Sequence, residues 1–485
     1  MPQSKAIHCA AVDLGATSGR VIVGTWSKNR LTLTEVHRFS NALRSVGGHD
    51  YWDIPGLWQE VQTGLRVAAA KFKHIASVGV DTWGVDYVLV NDAGRIVFPT
   101  HAYRDARTQA GLQSLMNTRA ALDRIYAATG IPAVFYNSSL QLAETIAHCP
   151  AITDLATRCL FLPDYFNFLL SGKMANGLSI ASTTQLLDVH GADWSREALD
   201  YFRVPPTWLT TPVAAGAKLG RVRDIAGLEK TSVVAVPGHD TTCAYDAMPA
   251  AADGSDIFLS SGTWSLVGFE SDQPLLGADA LAARVANDRT GRGEYRPLVN
   301  VIGLWMLEQT MKDFAVRPRN DREWAALIKT AEKLPAPPAV LDMIFAEFGH
   351  PPSMKAAIDA QLRRRKLPLP KNLAGYVRLI CDSLGHGHAL AIRDFEKLSG
   401  KKFKRILMVG GGSKNRLLCQ ATANASGLPV VSFSLEGSVV GNLANQLIAL
   451  GAVKNLAAFR EDLSRELTQT VYKPILKTEN RASRN

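Results

Sequence analysis

The chain has few cysteines and no long apolar run. Its 485 residues include six cysteines: Cys9, Cys149, Cys159, Cys243, Cys381 and Cys419. Their spacing is neither the close pairing of a zinc site nor the density of a secreted disulfide scaffold. No stretch approaches the ~20 apolar residues that cross a bilayer, and the amino terminus lacks the apolar core of a signal peptide. The sequence therefore predicts a cytoplasmic protein with reduced thiols and no membrane partner.

A concentrated basic patch is also absent. The formal net charge is +10, but the basic residues are spread along the chain, and their densest group, Arg363 to Lys366, is short. We interpret this group as a solvated helix end, with attraction of an anionic substrate as a secondary effect of the overall charge. The sequence predicts no nucleic-acid partner.

What the chain does contain is a strand, turn, strand pattern that begins near its amino terminus. Apolar runs at Ile7 to Val12 and Val21 to Trp26 flank Asp13 to Arg20, where glycines and small hydroxyl residues leave backbone N–H groups free to bind phosphate oxygens. No helix follows this turn, because Leu31 to Val36 continues as β-rich sequence. That excludes the dinucleotide fingerprint and the Walker loop, and it favours the arrangement of actin-like ATPases.

The same pattern recurs in the second half of the chain. Strands at Ile257 to Leu259 and Trp264 to Phe269 flank the turn Ser260 to Thr263. Such duplication predicts two large domains, residues 1–248 and 249–485, joined near Pro249 to Gly254. Further on, the strand Ile406 to Val409 leads into a triple glycine, which lets a base or ribose approach the backbone.

Other segments fit an α/β chain. Apolar residues at helical spacing from Leu57 to Phe72 predict a helix, and Ile75 to Asp81 predicts a strand. Tyr87 to Val90 and Ile96 to Phe98 flank a turn-forming segment and predict a hairpin. The middle third, residues 108–228, is predicted to be mainly helical.

Phosphoryl transfer requires donors for the phosphates, a magnesium ion and a base, and each has a candidate. Thr17, Ser18 and Thr263 lie on the two turns, and Asp13 is placed to hold a hydrated metal ion. Asp240 is the candidate proton acceptor; His239 and Thr241 flank it with groups suited to a polyol.

Structural roles explain some of the same residues. Asp240 can cap a helix by bonding its first N–H groups. Asp81 and Asp86 can simply end strands, and Trp83 can belong to the core. Gly84 beside Trp83 offers a bare N–H and an apolar wall to a sugar ring.

Seven motifs together resemble the FGGY carbohydrate kinases, in particular their rhamnulokinase branch. In chain order they span residues 13–20, 81–86, 102–105, 162–166, 239–241, 260–264 and 409–412. The resemblance implies an α/β fold of two ribonuclease H-like (actin-like ATPase) domains with a central cleft, the first binding sugar and carrying the base, the second binding nucleotide. It also implies transfer of the ATP γ-phosphoryl group to O1 of L-rhamnulose with Mg²⁺.

The resemblance assigns roles to particular residues. Asp240 is the proton acceptor; the sugar contacts are Gly84, His239, Asp240, Thr241 and Asn300. The ATP contacts are Ala16, Thr17, Ser18, Gly19, Arg20, Thr263, Glu308 and Gly411. The family has glutamine where this chain has Glu308, whose negative charge suits a nucleotide site only if it faces ribose hydroxyls.

Several alternatives stay open at this point. A kinase for another ketose, such as L-fuculose, would use the same mechanism, and the segment Gly130 to Asn137 differs from typical rhamnulokinases near the expected sugar site. An actin-like or chaperone-like ATPase would use the same fold without a sugar and would leave His239 to Thr241 without a task. A sugar-sensing repressor would need a DNA-reading helix pair, for which neither terminus has room. The expected assembly is a monomer or a homodimer.

Overall fold

The computed structural model describes residues 6–343, 345–349 and 351–475. Its strands, in chain order, are β1 (Ile7–Leu14), β2 (Ser18–Ser27), β3 (Arg30–Ser40), β4 (Arg44–Val46), β5 (His49–Tyr51), β6 (Ser77–Thr82), β7 (Tyr87–Val90), β8 (Arg158–Phe161), β9 (Lys218–Arg221), β10 (Ser232–Val234), β11 (Asp256–Ser261), β12 (Trp264–Gly268), β13 (Ala286–Arg289), β14 (Tyr295–Ile302), β15 (Arg405–Val409), β16 (Val430–Phe433) and β17 (Gln469–Tyr472).

The helices occupy most of the remaining described sequence. In chain order they are α1 (Ile54–Lys71), α2 (Gln109–Asn117), α3 (Arg119–Thr129), α4 (Ser138–His148), α5 (Ile152–Leu155), α6 (Leu162–Ser171), α7 (Leu178–Ser182), α8 (Arg196–Phe202), α9 (Asp240–Ala247), α10 (Ala278–Ala282), α11 (Trp305–Asp313), α12 (Asp321–Glu332), α13 (Phe345–Phe348), α14 (Met354–Arg364), α15 (Leu373–Ser399), α16 (Arg416–Ser426), α17 (Gly437–Ala449) and α18 (Leu456–Ser464). Within the described ranges, no helix is both long and apolar enough to cross a membrane.

The chain divides into two compact units that are not continuous in sequence. The first comprises Met1–Pro249, Glu270–Leu298 and Glu436–Glu466, and the second comprises the segments between and after them. Relative to the continuous division at residue 249 that the sequence suggests, two later segments return to the first unit. One of them carries α17, whose side chains reach the strand ends described below.

The first unit is built on a six-stranded sheet of order β3-β2-β1-β6-β10-β9. β1 pairs antiparallel with β2 and parallel with β6, and β10 also runs parallel to β6. β1 lies between two neighbours and is buried from Cys9 to Leu14, which explains its unbroken apolar sequence. The helix α1 buries Leu57, Val61 and Leu65, as its helical spacing predicts.

The second unit repeats this local topology. Its strands run in the order β14-β12-β11-β15-β16-β17. β11 pairs antiparallel with β12 and parallel with β15, as β1 does with β2 and β6. The core of this unit is formed mainly by α11, α14 and α15, with Phe348 and Leu384 fully buried. Both predicted strand, turn, strand segments are therefore confirmed.

The hairpin predicted after residue 87 forms as a short antiparallel pairing, and β7 has a second partner that the sequence does not predict. β7 pairs antiparallel with β8, which arrives from about 70 residues further along the chain. On the other side of β7, Val90 forms an antiparallel bridge with Ile96, and Val97 N–H donates to the Leu89 carbonyl at 3.0 Å. A turn does form between them, with Gly94 N–H donating to the Asn91 carbonyl at 2.8 Å. The pairing with β8 is set by tertiary packing, which local turn chemistry does not reveal.

Candidate active site

Two acidic side chains meet at the ends of neighbouring strands in the first unit. β1 and β6 run parallel, and Asp13 is in register with Asp81. Because the carboxyl ends of parallel strands lie at one edge of a sheet, the two side chains come together. Asp13 is 7% exposed, and Asp81 is fully buried. Two carboxyl groups this close ionise together only when positive charge compensates them.

Arg20 compensates the charge of Asp13. It lies opposite Asp13 on β2, and its Nε and Nη2 are 2.9 Å and 2.8 Å from Asp13 Oδ2. Its Nη1 donates to Glu436 Oε2 at 2.6 Å, and Ser438 Oγ donates to Asp13 Oδ2 at 2.9 Å. Burial lowers the pKa of the Arg20 guanidinium, but the charges of Asp13 and Glu436 outweigh burial and raise it. The Arg20 side chain is thus engaged by two carboxylates of its own unit.

Asp81 has less compensation. Asn442 Nδ2 donates to Asp81 Oδ2 at 2.6 Å, whereas no donor among the described residues reaches Oδ1. Burial and the Asp13 charge raise the pKa of Asp81 well above its ordinary value, and the Asn442 hydrogen bond opposes this only in part. The pair formed by Asp13 and Asp81 therefore favours a shared proton or a bound cation.

Asp240 is the first residue of α9, at the edge where β6 ends. Thr82 N–H donates to the Gly238 carbonyl at 2.9 Å, which fixes the start of α9 beside β6. Asp240 Oδ1 accepts from Thr241 N–H at 2.6 Å and from the Thr241 hydroxyl at 3.2 Å. The N-cap residue is His239, without a capping side-chain bond. Asp240 thus satisfies one helix N–H and still has a side chain that is 34% exposed.

Its neighbours act on the ionisation of Asp240 in opposite directions. Desolvation raises the pKa of the Asp240 carboxyl, and the Asp13 charge raises it further. The contact with His239 and the Thr241 N–H lower it, and the net shift is upward. A carboxylate with a raised pKa is a better proton acceptor than an ordinary aspartate.

His239 lies between two carboxylates. Its Nε2 is 3.6 Å from Asp240 Oδ1, and its Nδ1 is 3.6 Å from Asp288 Oδ2 on β13. Asp288 is 5% exposed. Burial lowers the pKa of the His239 imidazole, but the Asp288 contact and the charges of Asp240 and Asp288 raise it, and the net shift is upward. A protonated His239 would keep Asp240 oriented and ionised.

The other end of α9 is anchored by two buried arginines. Arg296 donates to the Thr242 carbonyl at 3.0 Å and to Asp246 Oδ1 at 2.6 Å. Arg460 donates to the Tyr245 carbonyl at 2.9 Å and to the Asp246 carbonyl at 3.1 Å. Cations near the last carbonyls of a helix are electrostatically favourable. Both ends of α9 are therefore fixed, and Asp240 is held in place.

α17 packs closely against α9 and faces the strand ends. A Cβ on Gly441 would overlap the Cys243 carbonyl of α9, so the two helices can approach this closely only with glycine there. Ser438, Asn442 and Asn445 of α17 hydrogen-bond Asp13, Asp81 and Asp246 in turn. One helix thus orients three acidic side chains of the first unit.

Gly84 lies beside His239, as the sugar-site prediction requires. A Cβ on Gly84 would lie 3.4 Å from His239 Nε2 and 3.6 Å from Thr183 Oγ1. Trp83 is 5% exposed and packs in the core, and its Nε1 donates to Asp86 Oδ2 at 2.8 Å. Trp83 is therefore a core residue, whereas Gly84 faces the group of polar side chains around His239.

The turn from Ala16 to Arg20 is short and partly exposed. Gly15 N–H donates to the Ser18 carbonyl at 2.9 Å, and Asn41 Nδ2 donates to the Gly15 carbonyl at 3.0 Å. Thr17 and Ser18 are exposed, whereas Gly19 is buried against Phe39. The predicted nucleotide residues of the first unit thus begin three positions after Asp13.

Three predicted nucleotide residues come together in the second unit. Trp305 N–H donates to the Thr263 carbonyl at 3.2 Å, and Glu308 lies one turn further along α11. Gly411 lies next to Leu304, at the start of the same helix. Glu308 is exposed and lines a cavity of about 470 Å³ formed around α11.

Asn300 stands apart from these groups. It is exposed on β14, in the half of that strand that belongs to the second unit. Its predicted contact with sugar stays a prediction.

Sequence reasoning missed some polar residues of the first unit. They are Glu436, Ser438 and Asn442 near Asp13 and Asp81, and Asp288 beside His239. A usable signal was the Gly437 to Gly441 spacing, with polar residues at helical intervals through an otherwise apolar helix. Asp288 left no such signal, because an acidic residue in a short strand resembles any exposed loop position.

These observations define an α/β protein with a carboxylate-rich site, and comparison with known proteins gives its class. The chain belongs to the FGGY family of carbohydrate kinases. The N-terminal domain of that family matches residues 8–245, and the C-terminal domain matches residues 257–450. The chain is a sugar kinase, and the family implies ATP as its second substrate. This decides against an actin-like or chaperone-like ATPase without a sugar.

Individual relatives narrow the comparison. A rhamnulokinase of Enterobacter sp. (strain 638) is 37% identical, over 96% of this chain and 94% of its own length. A rhamnulokinase of Klebsiella pneumoniae subsp. pneumoniae is 38% identical, with the same coverage. The predicted resemblance to the rhamnulokinase branch is confirmed.

Solved structures support the fold. Gluconate kinase from Lactobacillus acidophilus has a TM-score of 0.78 at 16% identity, covering 97% of this chain and 94% of that one. Plasmodium falciparum glycerol kinase with ADP has a TM-score of 0.79 at 12% identity, with the same coverage. The predicted fold class, two ribonuclease H-like domains of the actin-like ATPase kind, is confirmed.

Proposed function

We propose that this chain transfers the γ-phosphoryl group of ATP to O1 of L-rhamnulose, giving L-rhamnulose 1-phosphate and ADP. Relatives named rhamnulokinase, at 37% and 38% identity over nearly the whole chain, support the choice of sugar. The single structural observation that carries the proposal is the partly exposed Asp240 carboxylate, fixed at the start of α9 beside His239 and Gly84.

Asp240 acts as the proton acceptor. As the sugar oxygen bonds to phosphorus, its O–H proton passes to an Asp240 oxygen, and the bond from phosphorus to the bridging oxygen of ADP breaks. A sugar hydroxyl is a weak acid, so Asp240 takes the proton during bond formation rather than before it. Gly84, His239 and Thr241 bind the sugar around Asp240, and Asn300 adds a further contact.

The nucleotide contacts divide between the two strand, turn, strand segments. In this proposal Ala16 to Arg20 contact the phosphates in the first unit. Thr263, Glu308 and Gly411 contact the nucleotide in the second unit, with the Glu308 carboxylate accepting from ribose hydroxyls. Their grouping at the start of α11 supports a common role.

Asp13 and Asp81 fit a magnesium ion. Asp81 Oδ1 is buried and lacks a donor among the described residues, as expected of an oxygen that faces a cation. No cluster of three or more His, Cys, Asp or Glu side chains in the described sequence would hold a metal alone. Mg²⁺ is commonly held by one or two carboxylates together with water and substrate phosphates. When bound, the ion would neutralise phosphate charge.

A coupled ADP-release assay across L-rhamnulose, L-fuculose, D-xylulose and L-ribulose tests the proposal. We expect the highest kcat/KM with L-rhamnulose, and a product phosphorylated at O1 by phosphorus NMR. If activity were highest with L-fuculose, the proposed substrate would be wrong and the proposed mechanism would stand. ADP release that no ketose stimulates would contradict the proposal.

A further inference from the structure

The residue after Gly84 has a strained backbone. Val85 has φ +68°, and Asp86 N–H donates to the Gly84 carbonyl at 3.0 Å. Together these form a γ-turn of the rare, positive-φ kind. Among the described residues in this region of φ, Val85 is the only β-branched one. Such a conformation is unfavourable for a branched side chain and persists only when its surroundings hold it.

The first turn of α4 holds this γ-turn. Ser138 Oγ donates to the Val85 carbonyl at 2.6 Å, and Gln141 Nε2 reaches the same carbonyl at 3.3 Å. Gln141 Nε2 also donates to Asp86 Oδ1 at 3.1 Å. Ser138 is fully buried, and Gln141 is 2% exposed. Because these donors are shielded from water, their hydrogen bonds hold the turn rigidly.

Asp86 ties the far side of the turn to the core. Its Oδ2 accepts from Trp52 Nε1 at 2.6 Å, from Trp83 Nε1 at 2.8 Å and from Tyr103 N–H at 3.2 Å. The turn is therefore clamped on both sides of Val85. Between the clamps Gly84 and Val85 are half-buried, and a Cβ on Gly84 would face His239 and Thr183.

We propose that Ser138 is a positioning residue for the sugar. By binding the Val85 carbonyl it keeps the γ-turn in its strained form, and this form sets Gly84 at the correct distance from His239. Ser138 touches neither reacting atom, so its effect passes through the backbone of Val85. The inference rests on the proposed function, because it assigns the polar group around Gly84 to the sugar.

Kinetics of the Ser138→Ala variant test the inference. Loss of one buried hydrogen bond should raise the KM for the ketose by up to about tenfold and leave the KM for ATP unchanged. Ser139→Ala is the matched control: Ser139 is also fully buried on α4, but its Oγ donates to Gln185 Oε1 at 2.7 Å. The control should keep both KM values.

A second substitution separates strain from simple loss of packing. Glycine adopts positive φ freely, so Val85→Gly should make Ser138 unnecessary. The double variant Val85→Gly with Ser138→Ala should recover a ketose KM within about threefold of the wild type. Melting temperatures of all variants would report any general loss of folding.

The outcomes are distinct. An unchanged ketose KM in Ser138→Ala, equal changes in both KM values, or failure of Val85→Gly to restore binding would overturn the inference while leaving the kinase function intact. A wild-type protein that phosphorylates none of the ketoses would overturn the proposed function, and this inference with it.

Discussion

The two strand, turn, strand segments have the same topology and opposite chemistry at their strand ends. In the first unit, β1 and β6 end in Asp13 and Asp81. In the second unit, β11 and β15 have the same parallel pairing, but there β11 ends in Ser261 and Gly410 directly follows β15. A Cβ on Gly410 would lie 2.6 Å from the Ser261 carbonyl oxygen. The strand ends of the first unit thus bring two carboxylates together. Those of the second unit bring two stretches of backbone together, at Ser261 and Gly410.

The difference shows that the shared topology fixes where the strand ends meet, and that the residues at those ends decide which ligand chemistry is possible there. Neighbouring carboxylates such as this pair, in which burial raises the pKa of Asp81, suit the binding of cations and the handling of protons. Glycine has no side chain to cover its backbone, so the glycines packed against the buried serine leave backbone groups accessible. Such a surface suits a ligand that is recognised by shape and by hydrogen bonds. If this interpretation holds, loss of charge should harm only the first unit's function, and the equivalent change in the second unit should have little effect.

The largest expected effect is that of Asp240→Asn. The amide cannot accept the proton, so kcat should fall by about a thousandfold. The fold should be retained, because Asn can still accept from Thr241 N–H at the start of α9. Measurement of kcat with saturating ketose and ATP, beside circular dichroism, checks this.

Asp279→Asn provides the control. Asp279 also lies in the first turn of a short helix of the first unit and is exposed. Its variant should keep wild-type kcat. A variant of Asp240 with more than about a tenth of wild-type activity would rule out that carboxylate as the proton acceptor.

A matched pair of substitutions tests the comparison directly. Asp13→Asn should lower activity about 10- to 100-fold at limiting Mg²⁺, because one carboxylate of the pair with Asp81 is lost. Ser261→Ala removes only a buried hydroxyl and should cost about 1 kcal/mol of stability with little change in kcat. Activity measured across a MgCl₂ titration, together with melting temperatures, separates the two. Equal Mg²⁺ dependence in both variants would remove the distinction between the strand ends.

Much of the fold could be predicted from the sequence. Apolar runs such as Ile7 to Val12 and helical spacing such as Leu57 to Phe72 are local signals, and the structure has the elements there. Strand partners are not all local: β7 pairs through the predicted turn with the segment at Ile96, but its longer pairing is with the distant β8. The return of residues 436–466 to the first unit is likewise a long-range packing event.

The candidate site was predicted in part. Asp13, Gly84 and Asp240 belong to turns with a recognisable pattern, and the structure puts all three in the first unit. Asp288 and Asn442 belong to ordinary strand and helix sequence, and only the folded chain brings them to His239 and Asp81. The backbone strain at Val85 could not be predicted from the sequence either, since nothing in the neighbouring residues indicates a positive φ for valine.

Two carboxyl groups, one in each unit, are expected to respond to pH in opposite ways. Asp164 of the first unit is 5% exposed, and burial raises its pKa to about 8, against hydrogen bonds from Gly177 and Asn176. Asp253 of the second unit is exposed, and its Lys404 and Ser255 contacts lower its pKa. A raised pKa in the folded state means that stability is lost as pH rises from the ordinary value near 3.8 towards 8. A lowered pKa means that stability is lost only in acid.

The smallest expected effect follows from this contrast. Asp164→Asn cannot ionise, so it should escape the loss and be more stable than the wild type by on the order of 1 kcal/mol at pH 8, and by less at pH 5. Asp253→Asn should be slightly less stable by the same amount at both pH values, because Asp253 is ionised in the folded and unfolded chain throughout that interval. Chemical denaturation at pH 5 and pH 8 measures both. An Asp164→Asn effect of the same size at pH 5 and pH 8 would show that this carboxyl group is already ionised in the folded protein at pH 5.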